Sequence, residues 1–139
     1  MTELVSTRTL DEVEVGAALP PLEIPLTRTF IVASALASRD YQDVHHDPDL
    51  AAQRGSKDIF MNILTTNGLV ERYVMDWAGP AARLTGLSVR LGVPNYPGDT
   101  MTLTGEVEEV TDEGAVTIRV RGANGIGDHV TGTATVRLP

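Results

Sequence analysis

The sequence changes character once, at the triplet Ala78-Gly79-Pro80, and that change limits the fold more than any other feature. Before the triplet, an apolar stretch predicts a long helix over about residues 59–77, roughly 28 Å in length at 1.5 Å per residue. After it, four segments rich in β-branched residues are separated by Gly, Pro, Asn and Asp, which is typical of antiparallel strands. The predicted strands cover residues 84–93, 100–110, 115–121 and 129–138.

The part before the long helix is predicted to contain one strand and two shorter helices. Residues 1–20 are polar and acidic, which indicates a loosely held N-terminal arm. The elements expected next are a strand at 22–29, a helix at 30–38 and a short helix at 48–54. Asp47-Pro48 supplies a favourable N-cap and first position for the short helix, and Ser56 or Asp58 is expected to cap the long one.

One strand, several helices and then consecutive antiparallel strands form an α+β order, in which a curved sheet can wrap around a buried central helix. This is the arrangement of a single hot-dog fold. With 139 residues, 42% of them hydrophobic, the chain suits one domain over 1–139 with its own core. Because such a sheet leaves an edge strand open, we expect it to pair with a second copy or with a related subunit.

Composition excludes several classes of function. The chain has no cysteine, which removes disulfides, thiolate nucleophiles and cysteine-ligated zinc. Its net charge of -8 disfavours nucleic acid as a partner.

The N-terminus does not resemble a secretory signal, so a cytoplasmic location is expected. No membrane span is expected either, because four polar residues interrupt the apolar stretch. They are Asn62, Glu71, Arg72 and Asp76.

The chemically informative segment is residues 40–49, which read DYQDVHHDPD and lie between two predicted helices. Asp40 and His45, five positions apart, form a carboxylate and imidazole pair that suits proton transfer to and from water. Helix capping and a structural histidine would explain the same residues without catalysis. His46 is expected to point away from its neighbour and receives no role. A metal site is not expected, because the His spacing of zinc enzymes is missing.

The segment resembles the MaoC-like, or (R)-specific, enoyl-CoA hydratases, whose motif has the form D-x-N-P-[apolar]-H-x-D. Here Asp40, Val44, His45 and Asp47 match, while Gln42-Asp43 replaces the usual Asn-Pro. The words DVHHDPD, GSKDIFMNILT, GLVERYV, DWAGP and RLGVP are more similar still to the small catalytic subunit of heteromeric steroid-side-chain enoyl-CoA hydratases of actinobacteria. The likeness runs from about residue 30 to the C-terminus.

The resemblance implies that water is added to a 2-enoyl-CoA, giving a 3-hydroxyacyl-CoA, with Asp40 and His45 as the catalytic pair. It also implies a steroid-CoA substrate, a second MaoC-like subunit or a self-dimer, and no cofactor, since coenzyme A is part of the substrate. Many family members carry His-Gly near the start of the central helix, where this chain has Met61-Asn62. The backbone amides of Met61 and Asn62 are therefore the candidates for holding the thioester oxygen.

Two further points stay open at the level of sequence. Arg54, Lys57 and Arg90 are candidates for binding the phosphates of coenzyme A, although isolated cations usually have no specific partner. The alternatives to a hydratase are a non-catalytic hot-dog subunit that completes the tunnel of another chain, and an acyl-CoA thioesterase, which the same fold supports. Asp58 is the nearest carboxylate that a thioesterase mechanism would use.

Overall fold

A computed structural model describes residues 5–139, and the prediction for residues 1–4 lies outside this range. Within residues 5–139 there are three helices, α1 (Arg28–Ala37), α2 (Pro48–Gln53) and α3 (Ile63–Ala78), with short 3₁₀ turns at Leu10–Glu12 and Asp43–His45. The five strands are β1 (Ala18–Pro25), β2 (Arg83–Leu91), β3 (Thr100–Val110), β4 (Ala115–Asn124) and β5 (Gly127–Arg137). All pair antiparallel in one sheet, in the order β1-β3-β4-β5-β2.

The sheet and α3 share one hydrophobic core, which confirms the predicted α+β hot-dog arrangement. Val70 and Val74 on α3 are fully buried, as are Leu103, Ile118 and Val136 on three neighbouring strands. Along β4, the strand that carries Ile118, every second residue is buried, as expected when one face of a sheet covers a helix. Within residues 5–139, no helix is long and apolar enough to cross a membrane.

The start of α3 differs from the prediction in a way that matters for the site. The helix begins at Ile63 and not near residue 59, so its 16 residues span about 24 Å. Its N-cap is Asn62, whose side-chain oxygen accepts the N–H of Thr65 at 3.1 Å. The expected cap Asp58 instead forms a paired contact with Arg28. Residues 59–62 are therefore left out of the helix.

The N-terminal region also differs from the prediction. The first strand lies at Ala18–Pro25 rather than at 22–29, and α1 starts at Arg28 because Thr27 caps it. The arm that we expected to be loosely held is attached to the end of α3. Arg8 donates from its backbone N–H to the carbonyl of Ala78 at 2.9 Å and from Nε to the carbonyl of Trp77 at 2.7 Å.

Candidate active site

The C-terminal end of α1 sets the position of Asp40. The helix closes with the two hydrogen bonds of a Schellman motif. The N–H of Arg39 donates to the carbonyl of Leu36 at 3.0 Å, and the N–H of Asp40 donates to that of Ala35 at 2.9 Å. Arg39 has a φ of 59°, the left-handed conformation that such a helix end requires. The backbone of Asp40 is thereby fixed. One of its carboxylate oxygens, Oδ1, accepts the N–H of Gln42 at 3.3 Å.

His45 is fixed by the segment that precedes α3. Its Nδ1 lies 2.7 Å from the carbonyl oxygen of Phe60, and the Phe60 ring packs edge-on against the imidazole at 5.0 Å between centroids. A carbonyl can only accept, so Nδ1 carries the hydrogen and Nε2 is left for chemistry. This Nε2 lies 3.4 Å from Oδ2 of Asp40. The two residues singled out by their spacing are therefore brought together.

The separation of 3.4 Å between Nε2 and Oδ2 is longer than an ordinary N–H···O hydrogen bond. An oxygen atom at about 2.8 Å from both would complete a triangle with them. With Nε2 unprotonated and the carboxylate ionised, both atoms accept, so a water at that point donates one hydrogen to each. Its lone pairs then remain available to attack an electrophile.

The pair opens into a cavity of about 280 Å³. Apart from Asp40 and His45, the lining is mostly apolar and comes from the segment before α3, the start of α3, the end of β2 with the following loop, and β5. The other lining residues are Phe60, Met61, Ile63, Leu91, Gly92, Val93, Pro94 and His129. A wider depression of about 650 Å³ lies over β3, β4 and β5, where its two arginines are paired with acidic residues. The smaller cavity is the one that Asp40 and His45 line.

The two predicted oxyanion donors behave differently. The N–H of Met61 donates to the carbonyl of Asn95 at 3.1 Å, so it is occupied and cannot serve as we predicted. The N–H of Asn62 has no acceptor among residues 5–139 and remains a candidate. Ile63, the first residue of α3, lines the cavity, and first-turn amides have no acceptor within a helix. The start of α3 therefore stays the best place for a developing negative charge.

The three cations predicted to meet coenzyme A do not belong to the lining residues of the described chain. Arg54 forms two hydrogen bonds with Asp43, at 2.7 and 2.9 Å. This contact also holds the pKa of the Asp43 carboxyl below its usual range. Lys57 lies over the ring of Tyr96, 5.5 Å from its centroid. Arg90 is exposed on β2. Their assignment as phosphate ligands stays a prediction.

His129, for which the sequence predicted no role, is 3% exposed and lines the same cavity. Its Nδ1 lies 2.7 Å from the carbonyl oxygen of Val93, and its Nε2 lies 2.8 Å from Oγ1 of Thr66. Burial lowers the pKa of His129, and the hydrogen bond to Val93 opposes this in part. The imidazole is therefore neutral, with its hydrogen on Nδ1 and with Nε2 accepting from the Thr66 hydroxyl.

A β-bulge explains why the pattern of β5 did not predict a buried side chain at His129. In the β4–β5 pairing, Gly122 faces Val130 and Ala123 faces Asp128, which leaves His129 as an extra residue. His129 and Val130 are consequently both buried, although consecutive residues of a regular strand face opposite sides. The strict alternation that predicted β5 would have placed His129 on the solvent face.

Comparisons with known proteins show which family the chain resembles over most of its length. The family model described as "MaoC like domain" matches residues 13–128. The chain is 59% identical over 124 residues to the 3-oxo-4,17-pregnadiene-20-carboxyl-CoA hydratase beta subunit of Mycobacterium tuberculosis (strain ATCC 25618 / H37Rv), covering 89% of this chain and 94% of that protein.

Solved structures give the same result. The ChsH1-ChsH2 complex from Mycobacterium tuberculosis contains a chain that is 56% identical, with a TM-score of 0.88 over 91% of this chain and 98% of that one. The (R)-hydratase from A. caviae involved in PHA biosynthesis is 26% identical, with a TM-score of 0.80 over 91% and 98% of the two chains.

Proposed function

Because this chain belongs to the MaoC-like domain family, we propose that it is the catalytic subunit of an enoyl-CoA hydratase, with Asp40 and His45 as the residues that handle the water. One observation carries the proposal: Oδ2 of Asp40 and Nε2 of His45 lie 3.4 Å apart at the edge of one apolar cavity. A non-catalytic subunit would have no need of this pair.

In the proposed reaction, the water oxygen forms a bond to the β-carbon of the enoyl thioester, and one water proton passes to the Asp40–His45 pair. The electrons of the carbon–carbon double bond move toward the thioester oxygen, where the amides at the start of α3 stabilise the negative charge. The α-carbon then takes a proton from the pair, which returns to its first state. Because Oδ2 of Asp40 and Nε2 of His45 face each other, the pair as a whole accepts the proton and later returns it. No cofactor takes part.

The size of the cavity supports a second subunit. About 280 Å³ is below the roughly 300–1,000 Å³ of typical sites for drug-sized ligands, and a steroid acyl group with its coenzyme A needs more. The relative that is 59% identical is named as a beta subunit acting on a pregnadiene carboxyl-CoA. We therefore propose a steroid-type enoyl-CoA substrate and a MaoC-like partner chain that completes its binding site. A cytoplasmic location fits, because acyl-CoA thioesters are intracellular metabolites.

Charge supports the same division between two chains. Arg28 and Arg54 lie on either side of the segment that carries Asp40 and His45. Each forms a salt bridge with a carboxylate, of Asp58 and Asp43 respectively. Coenzyme A phosphates would meet a chain whose net charge is -8. Cations from a partner would offset this repulsion.

A spectrophotometric assay tests the proposal. The full chain, alone and co-expressed with a second MaoC-like chain of its host, is given 3-oxo-4,17-pregnadiene-20-carboxyl-CoA and, separately, crotonyl-CoA. Loss of the ultraviolet absorbance of the conjugated thioester, without release of free thiol, is expected. Thiol release would instead indicate a thioesterase, although Asp58 lies outside α3 and its pKa is lowered by Arg28.

Substitution of the pair is the decisive step. Asp40→Asn and His45→Ala should each lower turnover on the order of a hundredfold or more, since each removes a proton-transfer group. His46→Ala is the matched control. The side chain of this exposed neighbour hydrogen-bonds the carbonyl of Tyr41, at 3.2 Å, and its loss should leave turnover near wild type. Full turnover in both Asp40→Asn and His45→Ala would refute the assignment.

A further inference from the structure

Asn62 is a buried polar residue that has a second role besides capping α3. Its side chain is 1% exposed, and all of its hydrogen-bonding groups are in use. Oδ1 accepts from the backbone N–H and the hydroxyl of Thr65. Nδ2 donates to Oγ of Ser38 at 2.9 Å and to Oδ2 of Asp40 at 3.2 Å. Since the Thr65 N–H can only donate, the amide can take only this orientation.

The Asn62 amide reaches the oxygen of Asp40 that matters. Oδ2 of Asp40 is the atom that faces Nε2 of His45, whereas Oδ1 is held by the N–H of Gln42. A donor on each oxygen fixes the rotation of the carboxylate about its terminal bond, which is otherwise soft. The second Nδ2 hydrogen is tied to Ser38, the residue that ends α1. The start of α3 and the end of α1 thus hold Asp40 between them.

We propose that Asn62 is a positioning residue for the hydration reaction: its amide turns Oδ2 of Asp40 toward Nε2 of His45, so that both atoms meet the same water. The inference rests on the proposed hydratase function. Met61 and Ile63 line the cavity but Asn62 is not among the lining residues, so its side chain acts through Asp40 and not on the substrate. Its contribution belongs to turnover and not to substrate binding.

Asn62→Ser separates this role from capping. Serine is about as good an N-cap as asparagine, so α3 keeps its start. The shorter side chain cannot supply the amide hydrogen to Asp40. We expect kcat to fall on the order of ten- to a hundredfold, with KM within about twofold of wild type.

Asn62→Asp gives a second, independent readout. It also preserves the cap, but it replaces the donor with a carboxylate beside Asp40. A second negative charge there is unfavourable, so the acid limb of the pH–rate profile should move to higher pH by about one unit or more. An acid limb that stays in place would show that the side chain at position 62 does not reach the Asp40 carboxylate. Thr65→Val is the matched control, since it removes one hydrogen bond to Oδ1 of Asn62 but leaves the amide donor; its kcat should stay within about twofold of wild type.

The assays use the complex that hydrates the substrate, with circular dichroism melting curves to establish folding. If wild type shows no hydration, the proposed function is wrong. If wild type hydrates its substrate while folded Asn62→Ser retains kcat, or the acid limb of Asn62→Asp coincides with that of wild type, the positioning role alone is wrong. Should Asn62→Ser fail to fold, the pH profile of Asn62→Asp decides. The inference is also overturned if Thr65→Val loses as much kcat as either Asn62 variant.

Discussion

The hydrogen bond between Thr66 and His129 provides a stability prediction for Thr66→Val. Both residues are buried, at 0% and 3% exposure, and Oγ1 of Thr66 lies 2.8 Å from Nε2 of His129. Valine has nearly the same shape as threonine, so little packing is lost. The substitution does remove the hydroxyl, and Nε2 of the neutral imidazole is then left buried without a donor.

An unpaired buried acceptor costs about 1–3 kcal/mol in free energy of unfolding. For a chain of 139 residues, about 3–4 °C in Tm corresponds to each kcal/mol, so Tm should fall by about 3–12 °C. Thermal and urea unfolding at fixed protein concentration, at a pH above 7, measure the change. Concentration must be held constant because association with a partner would shift Tm.

The same substitution on the surface is the control. Thr85 is exposed on β2, where Thr85→Val should change the free energy of unfolding by less than about 0.5 kcal/mol. A Thr66→Val protein as stable as Thr85→Val would show that the hydroxyl does not support the imidazole. The tautomer assigned to His129 would then be wrong.

Two further predictions concern stability. Burial lowers the pKa of His129 below its ordinary value of 6.5, so the unfolded chain binds this proton more readily than the folded one. The free energy of unfolding should therefore fall as pH drops below about 6.5. His129→Gln should flatten this dependence, and an unchanged slope would contradict the prediction. Gly132→Ala on β5 should cost about 1–3 kcal/mol, since its methyl group would meet the backbone of β2, 2.8 Å from Cα of Val89 and closer to the carbonyl of Ser88. Gly86→Ala, with its nearest contact at 3.8 Å, is the control, and equal melting temperatures would refute the clash.

Two elements were predicted correctly from the pattern of their own residues. The strand predicted at 100–110 is β3 as observed, because alternation over many residues fixes both its face and its length. The cap at Asp47 was also correct: its carboxylate accepts the N–H groups of Asp49 and Leu50, at 3.0 and 3.1 Å. The cap is decided by contacts within three residues, and the strand was predicted from a pattern that its own residues carry.

Predictions failed where a distant contact outweighed the local pattern. Asp58 is a good cap by residue type, but Arg28, 30 positions earlier, pairs with it. The bulge that buries His129 depends on the register between β4 and β5, which no property of the final strand reveals. The spacing of Asp40 and His45 predicted that the two side chains meet, yet the partners that orient them, Asn62 and Phe60, lie 22 and 15 positions away.

The late start of α3 is therefore a condition for the site and not a detail of helix length. Had the helix begun near residue 59, the carbonyl of Phe60 would accept the N–H of Leu64, as in any α-helix. His45 would then lose the acceptor that holds its hydrogen on Nδ1, and Nε2 would no longer be directed to Asp40. The non-helical segment 59–62 leaves this carbonyl available and ends at Asn62, whose amide reaches Asp40. The residues that precede the helix thus orient both members of the pair.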